Sequence, residues 1–229
     1  MFIIGGIQKT TLVDFPEKIA AIVFTQGCNF RCGYCHNPEI LDFKQNGNYR
    51  TEEFMEFLKS RKGKLDGVVI TGGEPTLQSG LYGFIKDIKS LNFAVKLDTN
   101  GTNSEILGKL INENLLDYIA MDIKAPAEKY NEISCTNCNL QNIKQSIKLI
   151  MNSNTDYEFR TTVLKSQLSF EDFENIGKMI NGAKKYYLQK FVPSKILNSN
   201  LLNEETYSDS EFNEICKNLK KYIKNIYVR

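Results

Sequence analysis

Several absences narrow the field before any motif is read. The chain has 229 residues and a single histidine, His36. There is no second histidine, and no pattern of a serine or cysteine triad. Neither a P-loop nor a GxGxxG run is present, which counts against nucleoside-triphosphate hydrolysis and dinucleotide binding. No stretch is long and apolar enough to cross a bilayer. The opening residues Met1-Phe2-Ile3-Ile4-Gly5-Gly6 lack the basic region and apolar length of a signal peptide. A cytoplasmic location is therefore expected. Charge of one sign is also missing: 29 basic and 27 acidic residues leave +2, so nucleic acid is not an expected partner. There is no internal repeat and no low-complexity tract.

What is present is the balance of an ordinary globular protein, 41% hydrophobic and 24% charged. Its length suffices for a large core without disulfide staples. Six cysteines in a reducing compartment then read as metal ligands or free thiols. Short apolar runs predict buried strands at Ile19–Thr25, Gly67–Thr71, Ala94–Asp98, Leu116–Met121, Glu158–Val163 and Tyr186–Phe191. Apolar residues spaced by three and four predict helices at Thr51–Lys62, Leu81–Leu91, Ser104–Asn112, Leu140–Met151, Phe170–Ile180 and Ser210–Tyr222. Thr51 and Ser104 are the expected caps of the first and third helices. The polar stretch Asp42 to Tyr49 reads as loose.

Strand then helix, repeated about six times, predicts a parallel sheet covered by helices with right-handed crossovers. A doubly wound open sheet and a curled partial barrel both satisfy that pattern. The unusual residues fall just after the strands, where ligands sit in both architectures.

Residues 26–38 read Gln-Gly-Cys-Asn-Phe-Arg-Cys-Gly-Tyr-Cys-His-Asn-Pro. The spacing C-x3-C-x2-C places Cys28, Cys32 and Cys35 where three thiolates can wrap one face of a 4Fe–4S cube. Three ligands for four irons leave one iron open to a small molecule. Structural zinc held by the three cysteines and His36 is an alternative. Adjacent Cys35 and His36, however, do not easily face one tetrahedral ion. Buried free thiols are the remaining reading.

This motif, with an aromatic before the last cysteine, resembles the radical S-adenosylmethionine superfamily. The stretch from Gly6-Ile7-Gln8-Lys9-Thr10-Thr11-Leu12-Val13-Asp14-Phe15-Pro16 on to Cys35-His36-Asn37-Pro38-Glu39 is similar to one branch of it. That branch comprises the anaerobic ribonucleoside-triphosphate reductase activating proteins, relatives of the pyruvate formate-lyase activating enzymes. The resemblance implies a single domain over 1–229, with an α/β partial (β/α)6 TIM-like barrel at 19–193 and the active site at the C-terminal ends of its parallel strands. An extension at 1–18 and a helical segment at 194–229 flank the barrel. It further implies reductive cleavage of S-adenosylmethionine to a deoxyadenosyl radical, which makes a glycyl radical on a partner. Anaerobic ribonucleotide reductase is the expected partner, and flavodoxin or ferredoxin the expected electron donor.

The later motifs resemble the family's in order. Gly72-Gly73-Glu74-Pro75 alone could be a tight turn; in the family such a motif contacts the methionine amino group. Asp98-Thr99-Asn100-Gly101 and Asp122-Ile123-Lys124 alone could be a turn and a surface ion pair. By resemblance, Asp98 and Lys124 help hold the methionine end or the ribose, and Asp98 and Asp122 flank a monovalent cation. Arg160 on the fifth expected strand needs a partner, either the ligand or a structural pair with Asp98 or Asp122. Gln189 stands where some relatives use histidine to touch the ribose. Tyr34 is expected near the adenine, and His36 either there or capping the loop. Cys135 and Cys138, with Cys216, read as incidental thiols, because an auxiliary cluster needs about four thiolates.

Overall fold

The computed structural model describes residues 2–43 and 47–229. Met1 and residues 44–46 of the stretch read as loose lie outside the described residues. Eight strands form one sheet: β1 (Ile4–Thr11), β2 (Ala20–Thr25), β3 (Gly67–Gly72), β4 (Ala94–Thr99), β5 (Tyr118–Asp122), β6 (Asp156–Val163), β7 (Lys185–Lys190) and β8 (Asn225–Val228). Their spatial order is their chain order. β1 runs antiparallel to β2, and every later neighbouring pair is parallel.

That order decides between the two architectures. A doubly wound sheet reverses its strand order at a switch point. Here each crossover steps the same way, so right-handed connections lay all the helices on one face. The sheet is a curled partial barrel with helices outside, and β1 and β8 are its two ends.

The helices are α1 (Thr51–Ser60), α2 (Leu81–Ser90), α3 (Ser104–Asn112), α4 (Tyr130–Ser134), α5 (Leu140–Met151), α6 (Phe170–Met179) and α7 (Asp209–Leu219). Side chains alternate between the faces of a strand. One set, including Val23, Ile70, Leu97, Ile119 and Phe159, meets Leu58, Ile85, Leu107 and Ile147 from the helices in the main core. Full burial of a Leu or Ile contributes about 1.5–3 kcal/mol, so this layer holds the barrel in shape. On the inner face, Phe15, Ala20, Ile22, Val69 and Tyr118 form a smaller apolar floor.

The six expected strands and six expected helices are all present. β1 and β8 were not anticipated. β1 holds Gly5, Gly6 and a polar outer half, which hide a strand pattern, and it is an edge. β8 has four residues and ends the segment expected to be helical, pairing in parallel with β7. Two caps also differ. Thr51 is the first helical residue behind Arg50, which makes no side-chain cap bond. Asn103, not Ser104, caps α3 by accepting from Ile106 N at 3.3 Å.

Candidate active site

The loop after β2 carries the three cysteines and is pinned along its backbone. Gly27 N donates to Ile40 O (2.7 Å), Cys28 N to Leu41 O (3.2 Å) and Arg31 N to Ser134 O (2.9 Å). Arg31 Nη1 donates to Cys28 O (2.6 Å) and Phe30 O (2.8 Å). Residues 192–203, a strap after β7, brace the loop from outside: Leu197 N donates to Cys35 O (3.1 Å) and Asn198 N to Gly33 O (2.9 Å). The His36 ring stacks on Phe191, and its Nε2 lies 3.1 Å from Val192 O. His36 thus ties loop to strap.

Gly72 and Gly73 bring the β3 loop against the β2 loop. Gly73 N donates to Thr25 O (2.9 Å) and Glu74 N to Gly27 O (2.8 Å). A Cβ on Gly73 would stand 2.0 Å from Gly27 O. Gly72 has φ +109°, and its Cβ would meet Thr25 N at 2.4 Å. The two glycines thus let one loop approach the other closely.

Glu74 is buried, and its carboxylate already has four donors. Oε1 accepts from Thr76 N (3.1 Å), Thr76 Oγ1 (2.5 Å) and Thr99 Oγ1 (2.7 Å), and Oε2 from Asn100 N (2.6 Å). Burial raises its pKa, and these bonds offset part of the rise. Asn100 in turn donates Nδ2 to Asn29 Oδ1 at 2.8 Å. Glu74 therefore knits the β3, β4 and cysteine loops together.

The opposite wall is charged. Lys96, Asp98, Asp122 and Arg160 share the inner face by register, since Asp98 pairs with Ala120 and Asp122 with Arg160. Arg160 reaches across β5, passing small Ala120. Its Nε donates to Asp122 Oδ1 (2.7 Å) and its Nη1 to Asp98 Oδ2 (3.1 Å). Lys96 Nζ donates to Asp98 Oδ1 (2.6 Å) and Lys124 Nζ to Asp122 Oδ2 (3.0 Å). Burial pushes both carboxyls up, but Arg160 with Lys96, and Arg160 with Lys124, hold Asp98 and Asp122 below the usual carboxylate range. Burial opposes the charge of Lys124, yet Asp122, Tyr34 and Cys32 keep its pKa well above the usual value. The structural pairing expected for Arg160 is thus present with both aspartates. Lys96 was not singled out in the sequence, although its place two residues before Asp98 on a strand puts both on one face.

One cavity gathers these groups. Cys28, Cys32, Tyr34, Cys35, His36, Gly72, Gly73, Glu74, Asp98, Asn100, Asp122, Lys124 and Arg160 all line it. Gln189 does not: it lies on β7, one strand beyond its register partner Thr162, which does line the cavity. Tyr34 lines the cavity but is only 4% exposed and belongs to the main core.

The residues fit an iron–sulfur cube. Three thiols line one cavity. Among the described residues no three His, Cys, Asp or Glu groups converge on one metal ion, as zinc would require. A cube asks each thiolate for a different iron. The Tyr34 hydroxyl is a buried polar atom without a partner. Burial pushes the Cys28 thiol up to about 12 and also raises Cys32, so loading iron on thiolates releases protons. A monovalent cation does not fit in the same way, because each of the four oxygens of Asp98 and Asp122 already has a cationic partner from the protein. Cys135 is exposed, Cys138 and Cys216 half-buried.

The sequence model of the radical SAM superfamily matches residues 22–180, and the chain belongs to that superfamily. A protein of Methanocaldococcus jannaschii, MJ1227, named as a candidate glycyl-radical enzyme activating enzyme, is 33% identical over 234 residues, spanning 99% of this chain and 95% of its own. The 7-carboxy-7-deazaguanine synthase of Aquifex aeolicus is 29% identical over 169 residues, 74% of this chain and 69% of its own. Among solved structures, SuiB of Streptococcus suis bound to the precursor peptide SuiA aligns with a TM-score of 0.67 at 15% identity, over 91% of this chain and 48% of that one. That last match is a likeness of fold. Among the described residues no helix is long and apolar enough to cross a membrane.

Proposed function

We propose that the chain holds a 4Fe–4S cluster on Cys28, Cys32 and Cys35, binds S-adenosylmethionine beside it, and generates a glycyl radical on a partner protein. The observation that carries this reading is the match to the candidate activating enzyme over almost the whole of both chains. Cys28, Cys32 and Cys35 would hold the cluster, which would supply the single electron for reductive cleavage of bound S-adenosylmethionine.

The protein's own share is binding and orientation. Three cations and two carboxylates in the charged wall leave one positive charge. That charge suits the methionine carboxylate, with Arg160 and Lys124 nearest the cavity. Glu74 holds the β3 loop so that backbone carbonyls at Gly72 and Gly73 can accept from the methionine ammonium. Asn100 fixes the adjoining loop. The strap and loops exclude water from the reacting end. Anaerobic ribonucleotide reductase is the partner we propose, with flavodoxin or ferredoxin as donor.

The test is to load the protein anaerobically with iron and sulfide, then add a reductant, S-adenosylmethionine and the reductase. A glycyl doublet in the partner's electron paramagnetic resonance spectrum is expected; its absence with a fully loaded cluster sinks the reading. The match to the deazaguanine synthase supports a second reading, radical chemistry on a small molecule. S-adenosylmethionine cleavage driven by a pterin, with no protein partner, would decide for it.

A further inference from the structure

We infer that the Tyr34 hydroxyl donates a hydrogen bond to a sulfur of the bound cluster and so raises the cluster's reduction potential. This rests on the cluster assignment proposed above. Among the described residues, the Tyr34 hydroxyl is the one buried side-chain nitrogen or oxygen with no hydrogen-bond partner. Such an orphan bears its full desolvation cost, and an unpaired buried group in a native fold calls for an explanation.

The surroundings point to sulfur as the missing acceptor. Tyr34 lines the cavity with all three cysteines. Its ring belongs to the main core, as does Cys32, and its hydroxyl is buried with no partner in the protein. The ionisable groups around that hydroxyl are Cys32, Lys124, Asp122 and Tyr130. Lys124 and Asp122 already have each other at 3.0 Å. Lys124 Nζ stands over the ring, 5.9 Å from its centre, rather than at the oxygen. The Cys28 sulfur is served by a backbone donor, Phe30 N, at 3.4 Å. Tyr34 is the corresponding donor on the Cys32 side.

A donor to sulfur favours the more negative, reduced cluster, and hydrogen bonds to sulfur are among the terms that set iron–sulfur potentials. Tyr34→Phe removes the donor and keeps the ring. The measurement is a redox titration of the loaded protein without S-adenosylmethionine, after iron and sulfide have been counted. We expect equal loading and a cluster about tenfold harder to reduce, which is 59 mV for a one-electron couple. Placing 3-fluorotyrosine at position 34, a stronger donor of nearly the same shape, should move the potential the other way. If Tyr34→Phe fails to hold the cluster, the fluorotyrosine protein decides alone. An unchanged potential overturns the inference. So does a shift seen only after S-adenosylmethionine binds, which would assign the hydroxyl to the nucleoside. Wild-type protein without iron and sulfide would instead overturn the proposed function itself.

Discussion

The cavity has one wall made by the loops after β2 and β3 and another made by the inner face of β4, β5 and β6. Backbone holds the first: the cysteine loop is tied by amide-to-carbonyl bonds, and two glycines let one loop touch the next. Charge holds the second: five side chains alternate in sign from Lys96 through Asp98, Arg160 and Asp122 to Lys124. The difference teaches where each wall is vulnerable. The loop wall is vulnerable to the gain of a side chain at a glycine and to the loss of Glu74, whose carboxylate joins its loops. The charged wall tolerates no loss, because each deletion strands a partner in a poorly solvated place.

The largest effect is expected on the charged side. Arg160→Met leaves Asp98 and Asp122 facing each other, and stability should fall by about 3–5 kcal/mol. At 2–4 °C per kcal/mol this is a drop in Tm of about 6–20 °C by calorimetry. A change near zero would mean the wall is not held by its charges. Next comes Gly73→Ala, whose methyl meets the Gly27 carbonyl at 2.0 Å. Overpacking of this kind costs about 1–3 kcal/mol, and iron per chain after reconstitution should fall to background.

Smaller is a pH effect to which the loop wall contributes. Cys28 is raised from 9.0 to about 12, chiefly by burial. A raised folded pKa gives stability that is complete below the unfolded value and lost as pH rises toward the folded one. Cluster-free protein should therefore weaken between pH 9 and 12, by about 1.4 kcal/mol at one unit above the unfolded value. Cluster-loaded protein should weaken less, since the thiolates on its cluster are already ionised and only raised groups elsewhere, such as Tyr130 and Tyr186, remain to titrate. Denaturant midpoints at pH 8 and 10, with and without cluster, check this. The smallest contrast lies outside the cavity: Asn103→Ala should cost about 1 kcal/mol through the lost cap, and Thr51→Ala less than about 0.5 kcal/mol.

The same division explains what could be read from the residue order. Cys28, Cys32 and Cys35 lie within eight residues, so their spacing alone placed them together. Strands such as Gly67–Gly72 were legible as apolar runs. The charged wall was legible only as separate motifs, because which strand neighbours which, and in what register, is a long-range fact. Arg160 could be assigned a partner but not two. Gln189 was expected near the ribose because some relatives place a histidine there; its strand β7 lies one beyond β6, the last strand that lines the cavity. Tyr34 was expected near the adenine; its burial in the core with an unpartnered hydroxyl is a tertiary fact that the motif does not carry. β8 was missed because four residues at an edge carry too little pattern to stand against a helix just before them.

The strap has a consequence for how the protein is made. On the ribosome the three cysteines emerge early, but Leu197 and Asn198, whose amides close on Cys35 and Gly33, follow more than a hundred and fifty residues later. At about 5–20 residues per second that interval is roughly 8–30 s. The bracing of that loop is thus completed only after residue 198 has been made, and a nascent chain stalled before residue 197 lacks both contacts.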